Sequence, residues 1–398
     1  MLHSTRSAMQ STLVLADLLA RCPAAPVCVL DFPRVGGATY YSLRRIEDFL
    51  QRDRAVVRLT CNPDGSLNAT AHYRDINARF TLESLASLRD LPPFYLYLVN
   101  ELAGWTLPEA QRAGQTPVGE GRPRWIPSVL ARIAALAELH KARLEYVLHD
   151  YFAVCPNFVL LDDAAQQHYC GVPDVERCGQ CLVQPFMQKA FGPSFSMPAW
   201  REAWDAFLTR AHRITCPSVC SRDILLRAYA PQGKRIVVRP HAPLVEQGLS
   251  FTLPGPEQPM HIAVVGQLTI PKGALIVRDL ALLLEAQHPA IGLSVIGSVA
   301  APGLSLPDSV QVTGPYDKAR LGLLLAERGV TCGLVPSVWP ETFNYVTQEL
   351  MQLGLPLVAF DVGAPAERIG PWQYGLLAKK IDAGAALAAL CELDARRG

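Results

Sequence analysis

Short apolar runs alternate with amphipathic stretches along this chain, and that alternation fixes most of what it can fold into. Val27–Phe32 (VCVLDF) is the first run. PRVGGATYYSLRRIEDFL follows it, a glycine-containing turn that leads into a helical pattern. Ala55–Thr60, Tyr95–Val99, Leu144–Leu148, Arg213–Cys216 and Ile236–Arg239 read as further strands. Residues 126–141, 199–211 and the serine-started PSVCSRDILLRAYAP read as helices. A Pro- and Gly-rich stretch, Pro240–Pro259, precedes a fresh start at His261–Gly266. Strands at Leu293–Gly297, Val310–Thr313, Gly333–Val335 and Leu357–Phe360 then alternate with helices at 273–287 and 317–328. Such alternation builds parallel sheets with helices on both faces. The expected fold class is α/β, with a first domain over 1–250, a second over 251–398, and a Cys-rich insert at about 151–185.

The bulk composition agrees. A chain of 398 residues is long for one core. Hydrophobic content of 50% against 18% charged residues fits a well-packed soluble protein, and a net charge of +1 gives no electrostatic basis for binding nucleic acid. No apolar run reaches 18 residues, so no transmembrane helix is expected. The opening LHSTRSAMQSTLVLADLLARC is interrupted by Gln10 and Asp17. It reads as a short helix or a disordered lead-in rather than a signal peptide, which sets a cytoplasmic expectation.

The densest information lies at 335–368, VPSVWPETFNYVTQELMQLGLPLVAFDVGAPAER. Glu341 and Glu349 stand in E-x7-E spacing across a loop-to-helix junction. Pro340 disfavours helix before it, and a helix starts near Thr342–Asn344. Gly354 suits the position just past its end, and Pro356 forbids continuation. N–H groups near Thr342–Val346 would favour an anion such as a pyrophosphate. Glu349, two turns in, is placed to accept hydrogen bonds from ribose hydroxyls, and Glu341 to reach sugar hydroxyls. An amphipathic helix with two solvated glutamates is the plain alternative.

This stretch resembles the nucleotide-sugar site of retaining GT-B glycosyltransferases of family 4 (glycosyl transferases group 1), a group that includes bacterial polysaccharide and O-antigen enzymes. The resemblance is strong over 261–368, moderate over 144–242 and weak over 27–143. It implies two Rossmann-like, doubly wound domains facing across a cleft. It implies a donor site formed by Gln267, Lys272, Gly314, Tyr316, Phe343, Asn344, Tyr345 and Glu349, with Lys272 and Glu341 serving catalysis. In the family a segment GRL…KG carries an Arg and a Lys for the donor diphosphate. Here Gly266-Gln267-Leu268 and Lys272-Gly273 stand in those places, so Gln267 replaces the arginine and one cation is missing. VTGPY at 312–316 matches the segment that touches the nucleobase, and 361–368 the glycine loop that closes the site. Glu367 there reads equally as a partner of Arg368 or as a helix N-terminal charge. His149, at the end of a strand, matches a histidine that meets the donor sugar. Gly36 and Gly37 suit contact with donor or acceptor, or a tight turn alone.

Cys155, Cys170, Cys178 and Cys181 are spaced C-x14-C-x7-C-x2-C among Pro156, Gly171, Pro173 and Gly179. Four such thiols suit a structural Zn²⁺. An iron–sulfur cluster uses the same ligands, and four unligated thiols in a loop remain the alternative. No catalytic metal is expected.

The function these readings imply is transfer of a sugar, with retention, from a nucleoside-diphosphate sugar to a hydroxyl of a glycan or lipid-linked glycan in surface polysaccharide synthesis. Peripheral contact with the inner face of the plasma membrane goes with such an acceptor. The alternatives are a non-catalytic GT-B scaffold or interaction subunit, and a nucleotide-sugar epimerase or hydrolase.

Overall fold

The computed structural model describes residues 2–33, 36–105, 126–162, 168–182, 195–243 and 250–397. Parts of the expected turn before Gly36, of the Cys-rich insert and of the Pro240–Pro259 stretch lie outside the described residues. Contacts group the chain into two compact units. One covers Met1–Phe158, Val172–Pro217 and Arg222–Arg239, and the other Val159–Gly171, Ser218–Ser221 and Pro240–Gly398.

The first unit is built on an eight-stranded sheet. In chain order the strands are β1 (Val27–Asp31), β2 (Val56–Cys61), β3 (Leu67–Tyr73), β4 (Ile76–Leu82), β5 (Leu96–Val99), β6 (Arg143–Val147), β7 (Arg213–Cys216) and β8 (Ile236–Val238). Their order in space is β4-β3-β2-β1-β5-β6-β7-β8. Helices α1 (Leu2–Ala20), α2 (Gly37–Leu50), α3 (Ile126–Leu139), α4 (Val175–Leu182), α5 (Met197–Arg210) and α6 (Val219–Ala228) accompany this half. All five residues of β1 are buried, which is why it reads as an unbroken apolar run. Val27, Val29, Leu96 and Leu98 pack with Ile46 and Phe49 of α2. β1 pairs in parallel with β2 on one side and β5 on the other, so the chain reverses its winding direction beside β1.

Two features depart from the expectation. The sheet is not wholly parallel, because β2, β3 and β4 form an antiparallel edge. β3 alternates buried and open positions (LNATAHY), and β4 is mostly exposed (INARFTL), so neither presents an apolar run. The N-terminal segment is a helix of 19 residues that packs against β4, with Leu15 and Leu19 buried.

The second unit holds a six-stranded, all-parallel sheet of order β11-β10-β9-β12-β13-β14. These strands are β9 (His261–Val265), β10 (Gly292–Ile296), β11 (Gln311–Val312), β12 (Cys332–Val335), β13 (Leu357–Phe360) and β14 (Gly375–Ala378). The helices are α7 (Ala274–Gln287), α8 (Leu321–Glu327), α9 (Tyr345–Gln352), α10 (Gly363–Ile369) and α11 (Ala383–Ala395). Leu321 and Leu325 of α8, Leu350 of α9, Leu357 and Ala359 of β13 and Ile369 of α10 share one buried cluster. Residues after Arg368 form β14 and α11, whose Leu387, Leu390 and Leu393 are buried. β9 lies between β10 and β12, so the winding reverses there. Ligands of open α/β sheets bind at the carboxyl ends of strands flanking such a reversal.

Candidate functional site

In the second unit, loops after β9, β12 and β13 meet at the carboxyl edge of the sheet. The loop 266–273 runs from β9 to α7 and carries Gln267 and Lys272. Gln267 is exposed and Lys272 half-buried. Gly273 has φ +83°, and a Cβ there would lie 2.1 Å from the Pro336 carbonyl oxygen, so only glycine permits this crossing. Val338 N–H donates to Pro271 O at 3.0 Å, which ties the Lys272 loop to the loop leading to Glu341. Gly266 lies against Val346 of α9, whose Cγ2 is 3.2 Å from the position of an added Cβ. Gly363 after β13 has φ +70°, and its Cβ would fall 2.7 Å from the Glu341 backbone nitrogen. Ala364 N–H donates to Glu341 O at 2.8 Å. Gly314 and Tyr316 join this edge through Thr313, whose Oγ1 accepts from Gly297 N–H at 3.0 Å and donates to Gly314 O at 2.9 Å.

Glu341 is buried, with one carboxylate oxygen accepting from Ser337 Oγ and, at 2.8 Å, from Asn344 Nδ2. Asn344 has φ +64° and caps α9, its Oδ1 accepting from Thr347 N–H at 2.8 Å. The helix therefore starts at Tyr345, later than expected, because an asparagine in the left-handed region ends the loop and supplies the cap. Arg368, on α10, donates through Nη1 to the carbonyls of Phe343 (3.1 Å) and Asn344 (3.2 Å), and through Nη2 to Gln348 at 2.5 Å. Its guanidinium also lies over the Phe343 ring, 4.7 Å from the centroid. Burial lowers the Arg368 pKa to about 10, with Glu367 opposing. The Glu367 carboxylate accepts from the N–H groups of Val219 (3.1 Å) and Cys220 (2.7 Å) and also acts electrostatically on Arg368. The His241 ring stacks on Tyr345, centroids 5.6 Å apart, and tilts against Phe343.

Glu349 is the most exceptional group of this site. It is 2% exposed, and neither carboxylate oxygen accepts a hydrogen bond within normal geometry from the described residues. Lys318 Nζ offers an ionic contact at 3.4 Å from Oε1. Burial raises the Glu349 pKa, and Lys318 partly offsets it. A buried carboxylate with a single long ionic contact keeps most of its acceptor capacity unused, which suits a ligand that brings hydroxyls.

In the first unit, His149 follows β6 and its Nε2 lies 2.7 Å from Asn100 Oδ1. Burial pushes its pKa down to about 3, so the ring is neutral at physiological pH while part of its edge stays accessible. Asp150 Oδ1 accepts from Phe152 N–H at 2.9 Å and so caps the next turn. Gly37 opens α2, with Gly36 at its N-cap position. Cys178 and Cys181 sit one turn apart on α4, and Cys170 N–H donates to Leu160 O. Cys155, Cys170, Cys178 and Cys181 are all half-buried. Among the described residues no three or more His, Cys, Asp or Glu side chains are gathered around a common point.

The sequence reading missed Ser337, Lys318, Arg368 and Asn100. Arg368 was visible beside Glu367, but nothing local indicated that its side chain would reach the 343–344 carbonyls.

Comparison with known proteins agrees with this architecture. Over 94% of its length the chain is similar in structure to HepE from Anabaena, crystallised with UDP and glucose (TM-score 0.56, 16% identity, 91% of that chain). It is similarly close to a sucrose-phosphate synthase from Thermosynechococcus elongatus (TM-score 0.57, 15% identity, covering 94% of this chain and 90% of that one). The fold is GT-B, two α/β domains whose sheets are parallel apart from the β2–β4 edge of the first. Residues 259–395 match the family model described as Glycosyl transferases group 1. A GDP-mannose-dependent alpha-mannosyltransferase of Mycobacterium tuberculosis is 28% identical over 237 residues, which span 56% of this chain and 60% of that relative.

Proposed function

We propose that this chain is a retaining glycosyltransferase that moves a sugar from a nucleoside-diphosphate sugar to a hydroxyl of a glycan or lipid-linked glycan, in surface polysaccharide assembly such as that of an O-antigen. The observation that carries the reading is the buried Glu349 carboxylate, whose one polar contact among the described residues is Lys318 Nζ at 3.4 Å, beside a loop edge of the kind that holds nucleotides. Ribose hydroxyls supply further donors. Lys272 and the N-terminal turn of α9 hold the diphosphate, and Gly314 to Tyr316 face the base. Glu341, oriented by Ser337 and Asn344, takes sugar hydroxyls, and His149 meets the sugar near the reacting carbon. The bond from the anomeric carbon to the diphosphate oxygen breaks through an oxocarbenium-like state, and the acceptor oxygen bonds to the same face of that carbon. The acceptor proton passes to the departing diphosphate oxygen, so no carboxylate nucleophile is needed. Work inside the cell, with peripheral contact at the inner face of the plasma membrane, fits such an acceptor. No helix among the described residues is long and apolar enough to cross a membrane. The names of similar proteins supply two donor classes to try first, uridine and guanosine diphosphate sugars.

The test is calorimetric titration with UDP, GDP and ADP, followed by NMR of the first product formed from an α-linked donor. Binding of one nucleoside diphosphate and an α-linked product are expected. A β-linked product would overturn retention, and no binding of any nucleotide would overturn the donor site.

A further inference from the structure

A second constrained polar cluster lies in the first unit, where β1 and β5 flank the reversal of winding. Asn100 follows β5 and is 2% exposed. Its Nδ2 group donates to Asp31 Oδ1 at 2.9 Å and to Ala38 O at 3.1 Å. Both amide protons are thereby used, which settles the orientation of the amide and turns Oδ1 toward His149. An amide oxygen only accepts, so the 2.7 Å contact requires a proton on His149 Nε2. Asp31 is itself held from several sides. Its Oδ2 accepts from Ser42 Oγ at 2.7 Å and Arg58 Nε at 2.8 Å, and its Oδ1 accepts from Phe32 N–H at 2.9 Å. The Tyr41 ring meets the imidazole edge-on, centroids 5.1 Å apart.

We infer that Asn100 is a positioning residue: anchored by Asp31, it fixes His149 as the Nε2–H tautomer and leaves Nδ1 as the accepting nitrogen of the ring. The inference uses the hydrogen-bond directions alone. Asp31, Arg58, Glu101 and Asp150 are charged groups near this chain of contacts; the Asp31–Arg58 ion pair at 2.8 Å cancels within itself, and Arg45, Arg239, Glu145 and Asp48 act on the neighbouring Tyr41. A neutral ring of defined tautomer keeps an acceptor at Nδ1, whereas an imidazolium would donate from both nitrogens. The tautomer stands independently of the proposed activity, and the role in turnover rests on His149 meeting the donor sugar.

Long-range proton–nitrogen NMR of the imidazoles reads the tautomer without substrate, the His149 signal being assigned from its loss in His149→Gln. The ligand-free chain is expected to show Nε2–H. Asn100→Leu removes the acceptor and is expected to give a mixture or the Nδ1–H form. Asn100→Asp keeps an acceptor but places a carboxylate there, so the Nε2–H form persists and the ring protonates at higher pH. With any donor that turns over, Asn100→Leu should lower kcat about ten- to a hundredfold with little change in donor KM. An Nδ1–H wild-type ring, or a tautomer unchanged in Asn100→Leu, overturns the assignment. Unchanged kcat in Asn100→Leu overturns the role in turnover. If Asn100→Leu does not fold, the wild-type spectrum and the Asn100→Asp titration still decide the tautomer.

Discussion

Glu349 is buried, and on the proposed role its raised pKa makes stability and binding respond to pH in opposite directions. A group whose pKa is higher in the folded state favours folding below its unfolded value, and that contribution is lost as pH rises through the folded value. Above that folded value the ligand-free protein carries a destabilising carboxylate, while the proposed ribose contact uses that carboxylate as acceptor. Glu349→Gln is expected to raise Tm without ligand and to weaken nucleoside diphosphate binding by about 1–3 kcal/mol. Thermal melts with and without nucleotide check both signs, and a variant that melts lower yet binds unchanged would remove Glu349 from the site. Gln267 is the other residue with a distinct expectation. It is exposed beside Lys272, so Gln267→Arg adds a guanidinium at little steric cost and should tighten diphosphate binding. A large loss in calorimetry would mean that the glutamine makes a specific contact of its own.

At the scale of elements, the site depends on loops that cross at backbone contact. Gly363→Ala forces a left-handed residue and places a methyl 2.7 Å from the Glu341 nitrogen. The backbone term alone costs about 1–2 kcal/mol, and the clash moves Glu341. The expected result is a lower denaturant midpoint together with weaker sugar-nucleotide binding; a wild-type midpoint would show that the loop yields without cost. Strands buried on both faces, such as β1, β12 and β13, were legible because burial on two sides demands continuous apolar residues. β3 and β4 were not, since an edge that faces solvent on one side satisfies itself with LNATAHY and INARFTL. The glutamate spacing was legible because Glu341 and Glu349 lie within one loop-helix unit. Asn100 was not, for its partner Asp31 stands 69 residues away in sequence and only sheet topology brings them together. Lys318 and Glu349 are likewise joined by the fold, not by a motif.

For the whole molecule, the Cys-rich segment is set apart by its four half-buried thiols. We propose that Cys155, Cys170, Cys178 and Cys181 hold one structural Zn²⁺, for which two thiols one helical turn apart on α4 are a suitable start. Elemental analysis of protein purified without a metal-affinity tag should find about one equivalent per chain; absence of zinc and iron with all four thiols titratable would reject the site. The second unit has a different consequence. β11 is two residues long, pairs with β10 and stands at the sheet's outer edge, and the segment 313–317 hangs from it. Lys272, Glu341 and Glu349 are supplied by other loops and helices. On the proposed assignment, the stretch facing the base is a loop at the edge of the sheet, and exchanging those few residues would be a route to retuning nucleotide choice with the other proposed contacts left in place.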